Sequence, residues 1–340
     1  MDPKLLVVSL NFRTAEMTLR SVQFALREMA GLNAELVIVD NDSGDGSFEA
    51  MQAALSAEPW AQGAPIRLIQ SGHNGGFGAG NNVGIRAGWS DGSEPDYVYL
   101  LNSDAFPGPG SLKALLRHLE THPEAGFAGS YIHGEDGAPH HTAFRFPTIL
   151  SELESSARFG PISRLLEKHR VWLEIPEATQ RVDWLAGASL MMRQGVLDEI
   201  GLFDETFFLY FEETELCLRA ARAGHETHYV RESEVAHIGS VSTGMKIWKR
   251  VPAFWLDSRW YYYTKTRGRA YAAMATLAHL AGGALWRVRL VLQRKTPADP
   301  PHFLRDLLVH DLKALFRPLP EKRIAGTVRQ TAPALEAQAE

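Results

Sequence analysis

The sequence predicts an α/β fold with a mainly parallel central sheet, helices on both faces and a helical C-terminal extension. Short apolar runs alternate with helical stretches over residues 5–123, which is the order of elements in a parallel sheet with crossover helices. Of the 340 residues, 45% are apolar and 22% are charged, so the chain can bury a large core. Residues 258–316 are helical in pattern, first aromatic and basic and then rich in Ala and Leu.

Four short runs each predict a strand of the sheet, the first of them buried on both faces and the second buried as well. They are Leu5–Asn11, Glu35–Asp40, Ile66–Gln70 and Tyr97–Asn102. Helices are expected between the runs, from Thr14 to about Ala30, from Ser47, and from Ser111 to about His122. Because parallel sheets bind ligands beyond the carboxyl ends of their strands, the loops after these runs form the predicted binding site.

The second half of the chain is less regular. Residues 131–180 show no clear periodicity apart from a hairpin turn at Asp136-Gly137. The remaining apolar and helical patterns predict a strand over Trp184–Met192, a helix over Glu212–Ala223, a strand over Glu226–Arg231, and helices over Ser258–Lys295 and His302–Phe316.

Cysteine usage and the N-terminal residues indicate the compartment. Cys217 is the single cysteine, so no internal disulfide can form and a reducing compartment is expected. The apolar run Leu5–Leu10 is too short for the apolar core of a signal peptide. The sequence therefore predicts a cytoplasmic protein.

Charge is distributed unevenly along the chain. Residues 1–240 carry 18 Lys and Arg against 33 Asp and Glu, a balance of −15, whereas residues 241–340 carry 17 against 7, a balance of +10. The basic region either meets an anionic partner or packs on the acidic body. Ala270–Trp286 has no formal charge and contains His279, so it is expected either to lie in a membrane interface or to pack on the body. No nucleic-acid reader motif accompanies the basic residues.

Two polar segments follow the second and third predicted strands. Asp40-Asn41-Asp42-Ser43 offers carboxylates that can accept hydrogen bonds from a nucleobase and a ribose, or it forms a solvated turn. The glycine-rich segment from His73 to Asn82 lets the backbone approach a ligand and offers N–H groups to an anion. It is not a dinucleotide fingerprint, because Asn81 stands where glycine is required, and it lacks the Gly-Lys-Ser/Thr of a Walker loop.

Acidic side chains mark two further segments. Asp104, after the fourth strand, suits a hard divalent cation that also binds water and phosphate, or it caps a turn. Glu212, Glu213 and Glu215 follow aromatic residues. One of them can point into a cleft where apolar neighbours raise its pKa toward that of a general base, or all three can stabilise a helix start.

Histidines are a weaker signal. His237 lies 24 residues after Glu213, and a lone histidine is more often structural than a ligand. His133, His140 and His141 are interpreted as ordinary loop residues.

Taken together, these segments resemble glycosyltransferase family 2, in particular its bacterial rhamnosyltransferase-like members. The order and spacing match the family from about residue 4 to 240, and the stretch after Trp260 resembles the family's C-terminal extension less sharply. The segments that carry the resemblance are Val8–Phe12, Val39–Ser43, Asn74–Asn82, Leu101–Asp104, Trp184–Ala188 and Phe208–Arg219.

The resemblance implies a GT-A fold, a nucleotide-sugar donor and specific roles. Asp104, the last position of the family's Asp-x-Asp element, would bind Mg²⁺ or Mn²⁺, with His237 as a second ligand. Glu213 stands where the family usually has its catalytic Asp, and Glu212 and Asp104 are expected to be catalytic with it. The added methylene could displace the base by about an ångström, and misplacement on that scale can cost about 100-fold in rate. The donor and acceptor would contact Asn11, Arg13, Asp40, Asn41, Asp42, Asn74, Gly75, Gly76, Phe77, Asn81, Asn82, Asn102, Asp183, Trp184, Gly187 and Ala188.

The activity implied is inverting transfer of rhamnose or another hexose from a dTDP- or UDP-sugar to a glycan or polyprenyl-linked acceptor, in cell-surface polysaccharide synthesis. Residues 1–250 would form the catalytic domain, with the nucleotide-sugar half to about 130 and the acceptor half from 131, and residues 251–340 a basic helical extension in peripheral contact with the cytoplasmic membrane face. Two alternatives remain. Glu213 motivates a nucleotide-sugar-binding pseudoenzyme. A sugar nucleotidyltransferase is disfavoured because residues 11–14 hold no glycine.

Overall fold

The computed structural model describes residues 2–239, 248–297, 299–320 and 324. The predicted α/β class is confirmed. Its main sheet has the strand order β3-β2-β1-β4-β10-β6-β11-β5, with β8 paired to β11. The first half of the chain supplies β1 (Leu5–Asn11), α1 (Ala15–Met29), β2 (Ala34–Asp40), α2 (Ser47–Ala57), β3 (Ile66–Gln70), α3 (Phe77–Ala87), β4 (Tyr97–Asn102), β5 (Ala105–Pro107), α4 (Ser111–Thr121) and β6 (Ala125–His133).

The second half adds shorter strands and the C-terminal helices. Its elements are β7 (Ala143–Phe144), α5 (Ile149–Ala157), α6 (Gly160–Leu165), β8 (Gln180–Val182), β9 (Trp184–Leu185), β10 (Ser189–Arg193), α7 (Gln194–Ile200), α8 (Glu212–Ala223), β11 (Glu226–His237), α9 (Ala253–Arg267), α10 (Arg269–Leu292) and α11 (Phe303–Leu315). The pairs β1–β2, β1–β4, β2–β3 and β6–β11 are parallel, whereas β10 runs antiparallel to both β4 and β6.

The four predicted strands of the first third are confirmed to within one residue at their starts. Leu6 and Val8 of β1 face one apolar cluster, and Leu5 and Val7 face another on the opposite side of the sheet. Helices cover both faces, so β1, β2 and β4 are largely buried on both sides, which is why they appear as apolar runs, whereas β3 at the edge of the sheet is partly exposed.

The prediction was wrong in several places in the second half. Residues 131–180, predicted to be irregular apart from the turn, contain α5 and α6, and α5 begins with a capping box formed by Thr148 and Ser151. The predicted strand over 184–192 is two strands, because β9 pairs with β7 in a separate two-stranded sheet and β10 enters the main sheet. The strand predicted to end at Arg231 runs to His237, since a register shift after Val230 lets β11 continue and pair with β5.

The helical region predicted as one stretch is divided at Gly268, whose φ of +88° separates α9 from α10. These helices pack on the body rather than standing apart from it. Phe207 and Leu218 of the body share an apolar cluster with Trp260 of α9 and Ala275 of α10. Two alternatives were open for the basic region. Packing on the acidic body is found for the side of α9 and α10 that faces this cluster.

A buried ion cluster fixes the C-terminal helices. Arg259 on α9 is 1% exposed and pairs with Glu152 of α5 at 3.1 Å and with Asp311 of α11 at 3.2 Å. His279 of α10 contacts the same Glu152 carboxylate at 2.6 Å. Burying a charge is costly unless it is paired, so these contacts specify how four helices fit together.

No helix in the described parts of the chain is long and apolar enough to cross a membrane.

Candidate active site

The carboxyl ends of β1, β2 and β4 lie at one edge of the sheet, as predicted. Asn11 on β1 is in register with Asp40 on β2, and Leu10 is in register with Asn102 on β4. A cavity of about 1090 Å³ opens beyond this edge, and residues from both halves of the chain form its wall. Loops that are far apart in sequence therefore share one site.

The loop after β2 is held by its own acidic residue. Asp40 is 1% exposed; its Oδ1 accepts hydrogen bonds from Asn11 Nδ2 at 2.7 Å and Ser43 Oγ at 2.6 Å, and its Oδ2 accepts from the Ser43 N–H at 3.1 Å. Arg13 Nε donates to the Ser43 carbonyl at 2.9 Å. Asp42, with φ +56°, is exposed. Asp40 thus shapes the loop, and Asp42 is its solvent-facing carboxylate.

The glycine-rich segment places the start of α3 at the cavity wall. Asn41 Nδ2 donates to Asn74 Oδ1 at 3.0 Å and to the Gly76 carbonyl at 3.2 Å. The Phe77 N–H donates to the carbonyl of Phe208 at 3.0 Å. Because Asn41, Asn74, Gly76 and Phe77 all line the cavity, the start of α3 lies at the cavity wall.

Asp104 and His237 meet although 133 residues separate them. The antiparallel pairing of β5 with β11 sets His237 opposite Ala105, the residue after Asp104. His237 Nε2 lies 3.0 Å from Asp104 Oδ1, and the Gly239 N–H donates to Asp104 Oδ2 at 3.1 Å. Asn102 Nδ2 lies 3.5 Å from the same imidazole nitrogen. The pair is oriented by backbone as well as by side chains.

The three glutamates at the start of α8 occupy three different environments. Glu215 is ion-paired with Arg219 at 2.9 Å and with Lys265 at 2.7 Å. Glu213 lines the cavity, and its Oε1 accepts a hydrogen bond from the Gly187 N–H at 3.2 Å. Glu212 is 1% exposed, and its Oε2 has no hydrogen-bond partner among the described residues. Glu213 is therefore the carboxylate of the three that can reach a ligand.

A strained turn aims these glutamates. Tyr210 and Phe211, directly before α8, both have φ of +69°. Non-glycine residues rarely adopt this left-handed conformation, and two in succession persist only where the surroundings hold them. The turn sets the start of α8 against the cavity, so that Glu213 lines it and Glu212 lies inside the protein.

Burial changes the ionisation of both glutamates. Removal from water raises the pKa of Glu212 well above its usual range, and the neighbouring Glu213 carboxylate raises it further. Burial also raises the pKa of Glu213. We assign the shared negative charge to Glu213, because Glu212 is the more deeply buried of the two and gains nothing from the cavity's solvent.

Glu212→Gln is expected to stabilise the protein more at high pH than at low pH. The folded-state pKa of Glu212 is raised, so the stability of the wild-type protein falls as pH rises from the unfolded-state pKa toward the folded-state pKa. Gln cannot ionise and avoids this loss. Melting temperatures of the wild-type protein and of Glu212→Gln, measured between about pH 4.5 and 8.5, test this prediction. Glu49→Gln, on the exposed face of α2, is the control. A melting-temperature difference that does not grow with pH would contradict the assignment.

Several predicted contact residues lie behind the cavity wall rather than on it. Asn82 is fully buried, donates to the Phe203 carbonyl and Glu205 Oε1 at 2.9 Å each, and accepts from the Phe203 N–H at 3.1 Å. Asn81 donates to the Phe77 carbonyl at 2.9 Å. These two asparagines hold α3 in place, and direct contact with substrate stays a prediction for them.

The segment around Trp184 contributes one wall and one close approach. Trp184 lines the cavity and stacks on Phe144 with ring centroids 4.1 Å apart. The close approach is at Gly187, where an added Cβ would lie 2.9 Å from Glu213 Oε1. Other predicted residues here are structural: Asp183 Oδ2 accepts from the Phe146 N–H at 2.8 Å, and the Ala188 carbonyl accepts from the Asn102 N–H at 3.1 Å.

Sequence reasoning missed part of the cavity wall. His140 and His141, interpreted as ordinary loop residues, line it, as do Glu152 of α5 and the aromatic residues Phe254 and Trp255 of α9. The available signal was the aromatic content of residues 254–263. Gly75 was predicted as a contact, but it lies outside the lining, against Ala79 and His73.

Comparison with solved structures defines the class of protein. A mannosyltransferase from Pyrobaculum calidifontis, in complex with GDP-Man and Mn²⁺, aligns over 93% of this chain and 88% of its own with a TM-score of 0.53 and 14% identity. GalNAc-T7 with UDP, GalNAc and Mn²⁺ aligns over 94% of this chain and 59% of its own with a TM-score of 0.55 and 14% identity. The fold is therefore GT-A, as predicted.

Sequence comparison gives the family. The chain belongs to the glycosyltransferase-like family 2, whose sequence profile matches residues 3–263, and is a nucleotide-sugar glycosyltransferase. It is 33% identical over 220 residues to the N-acetylglucosaminyl-diphospho-decaprenol L-rhamnosyltransferase of Mycobacterium tuberculosis, covering 62% of this chain and 68% of the relative. Rhamnosyltransferase WbbL of Escherichia coli K12 is 27% identical over 165 residues, 48% of this chain and 60% of the relative. The predicted family is confirmed.

Proposed function

We propose that this protein transfers a rhamnosyl or related hexosyl group from a dTDP- or UDP-sugar to a hydroxyl of a polyprenyl-linked glycan, with inversion. One observation carries the proposal: Glu213 and the Asp104–His237 pair line the same cavity. A general base and an anion-stabilising site on one cavity are what a single displacement at an anomeric carbon needs. The similar rhamnosyltransferase of M. tuberculosis is named for a decaprenol-linked acceptor.

Glu213 acts as the base in this mechanism. Its carboxylate accepts the proton of the acceptor hydroxyl as that oxygen bonds to the anomeric carbon, and the bond from this carbon to the diphosphate oxygen breaks. The Gly187 N–H, 3.2 Å from Glu213 Oε1, fixes the direction of the carboxylate. This contact holds the carboxylate of Glu213, whose side chain is one methylene longer than that of the family's usual Asp, at the cavity wall.

The donor set at Asp104 and His237 fits a divalent metal. Asp104 Oδ1 and His237 Nε2, 3.0 Å apart at the cavity wall, would offer the metal a carboxylate oxygen, which Mg²⁺ and Mn²⁺ prefer, and an imidazole nitrogen. No group of three or more His, Cys, Asp or Glu in the described ranges could hold a metal by itself, so diphosphate and water oxygens would complete the shell. Bound there, Mg²⁺ or Mn²⁺ would neutralise charge on the leaving diphosphate.

One stretch of the cavity is aromatic and suits an acceptor with an apolar part. Phe208, Tyr210 and Phe211 on the turn before α8 and Phe254 and Trp255 on α9 form its wall. These residues lie at the junction of residues 1–250, which we propose as the catalytic domain, and the helical extension that follows. We propose that this extension brings the enzyme to the cytoplasmic membrane face, where a polyprenyl-linked acceptor resides.

Nucleotide binding tests the proposal most simply. dTDP, UDP and GDP, and their sugars, are added with and without Mn²⁺, and the melting temperature is measured. A matching nucleotide at 100 times its Kd should stabilise the fold by about 2.7 kcal/mol. Asp104→Asn is expected to remove the Mn²⁺-dependent part of the rise, whereas Asp198→Asn on the exposed side of α7 should leave it unchanged. No rise with any of these compounds would contradict the proposed function.

A further inference from the structure

The outward side of α10 carries an unbroken apolar face. Every exposed residue of this helix is apolar, and the exposed positions recur every three or four residues, so they form one stripe. Val291 is 76% exposed and Leu292 78% exposed. The stripe consists of Ala270, Met274, Leu277, Ala281, Ala284, Leu285, Val288, Val291 and Leu292.

The helix beside it extends this surface. Gly283 of α10 lies against Leu304 at the start of α11, and Arg269 at the start of α10 donates to the Leu315 carbonyl at its end, so the two helices are antiparallel neighbours. The large apolar residues that are exposed on α11 and on the segment after it are Leu308, Val309, Leu312, Phe316 and Leu319. We call the exposed apolar residues of both helices the α10–α11 face.

The charge on and beside α10 has one sign. Residues 267–297 contain six Arg and Lys and no Asp or Glu. Arg267 lies just before α10, and Arg294 and Lys295 just after it, and all three are exposed. An apolar helix face bordered by cations is typical of a helix that lies in the interface of an anionic lipid bilayer.

Other occupants fit less well. In a dimer through α10, both the parallel and the antiparallel arrangement bring the basic ends of two helices together, which like-charge repulsion opposes. The chain's own last residues, 325–340, contain only Val328 and Leu335 as large apolar side chains, too few to cover the stripe.

A second, smaller cavity lies between these helices and the main cavity. A space of about 210 Å³ is lined by Ser155 of α5, Trp255 of α9, His279 of α10 and Leu304 of α11. Ser155 and Trp255 also line the main cavity. The two cavities therefore adjoin at Ser155 and Trp255, and the helices that carry the α10–α11 face line the second cavity.

We propose that the α10–α11 face docks on an anionic membrane with α10 parallel to the bilayer, so that a lipid-linked acceptor enters the active site from the side of Trp255. The membrane contact and the route of the acceptor rest on the proposed function; the new element is the surface that makes the contact. Apolar burial holds the face in the interface, and the flanking Arg and Lys select anionic headgroups.

Vesicle flotation of the full chain tests the docking surface without any acceptor. Phosphatidylcholine vesicles with and without about one third phosphatidylglycerol are compared at low and high NaCl. We expect binding to the anionic vesicles that weakens with salt, and a loss of about tenfold or more in Val288→Glu/Val291→Glu, since both side chains would otherwise be buried in lipid. Gln52→Glu/Ala53→Glu, which adds the same charge on the exposed face of α2, should bind like wild type.

The controls separate this proposal from the proposed function. The Val288→Glu/Val291→Glu variant should keep the nucleotide-dependent rise in melting temperature, which shows that it is folded. Wild-type protein that does not float with vesicles, or floats equally well after both substitutions, would overturn the docking surface. So would a dimer in sedimentation velocity that the variant dissociates. Vesicle binding that depends on Val288 and Val291 without any nucleotide effect would support the docking surface and contradict the proposed function.

Discussion

Glu213→Gln is expected to lower kcat by about 10²–10⁴-fold, the range that a positioned general base contributes, while the nucleotide-dependent rise in melting temperature is retained. Gln has nearly the same shape and can still accept the hydrogen bond from Gly187, but it cannot take a proton. Initial rates of nucleoside diphosphate release and of sugar transfer measure the effect.

Glu212→Gln is the matched control for this experiment. Because burial keeps Glu212 in its protonated form, Gln at this position resembles the native group, and transfer should continue at a rate near that of wild type. Equal loss in both variants, or undiminished transfer in Glu213→Gln, would reject Glu213 as the base. Nucleotide binding with no transfer by the wild-type protein would favour the pseudoenzyme.

The pH dependence of kcat/KM gives a second view of the same group. The base must be deprotonated, and burial raises its pKa, so the acidic limb of the profile should lie at higher pH than an ordinary glutamate would give.

Gly76→Ala is expected to destabilise the protein by about 3 kcal/mol or more, since it combines strained backbone with overpacking, and to abolish nucleotide binding. Gly76 has φ +92°, and an added Cβ would lie 1.7 Å from the carbonyl oxygen of Phe208. That carbonyl accepts the Phe77 N–H and precedes the turn that aims Glu213. The clash would therefore separate the start of α3 from the start of α8.

Gly63→Ala is the control for the backbone part of this effect. Gly63 has φ +71°, but an added Cβ would meet nothing within 4 Å, so the cost should be about 1–2 kcal/mol. Urea denaturation and nucleotide-induced stabilisation of both variants give the comparison. Similar losses of stability in the two variants would show that the contact between Gly76 and Phe208 is not needed.

The sequence predicted best where one physical pattern dominated. Strands β1, β2 and β4 are largely buried on both faces and appear as apolar runs, so their carboxyl ends, and with them the loops at Asn11, Asp40 and Asn102, could be placed in advance. The meeting of Asp104 with His237 depends on the pairing of β5 with β11. No local pattern indicates that pairing. Only the family resemblance suggested that His237 lies beside Asp104, as a second metal ligand.

What the sequence did not predict depends on contacts between distant segments. Residues 131–180 have weak periodicity because their short helices pack on α9 and α10 rather than on the sheet alone, so Glu152 was not recognised as part of the cavity wall. Polar residues of the glycine-rich segment were expected at the ligand, yet Asn82 satisfies its hydrogen bonds with the segment at Phe203 and Glu205. A polar side chain in a motif can thus hold the site together from behind.

A crystal structure with a dTDP- or UDP-sugar and Mn²⁺ tests the central claim most directly. We expect the diphosphate to bind beside Asp104 and His237, near the first turn of α3, with the anomeric carbon facing Glu213 across the cavity. A nucleotide bound outside this cavity, or a sugar ring turned away from Glu213 with Asp104 free of the diphosphate, would contradict it.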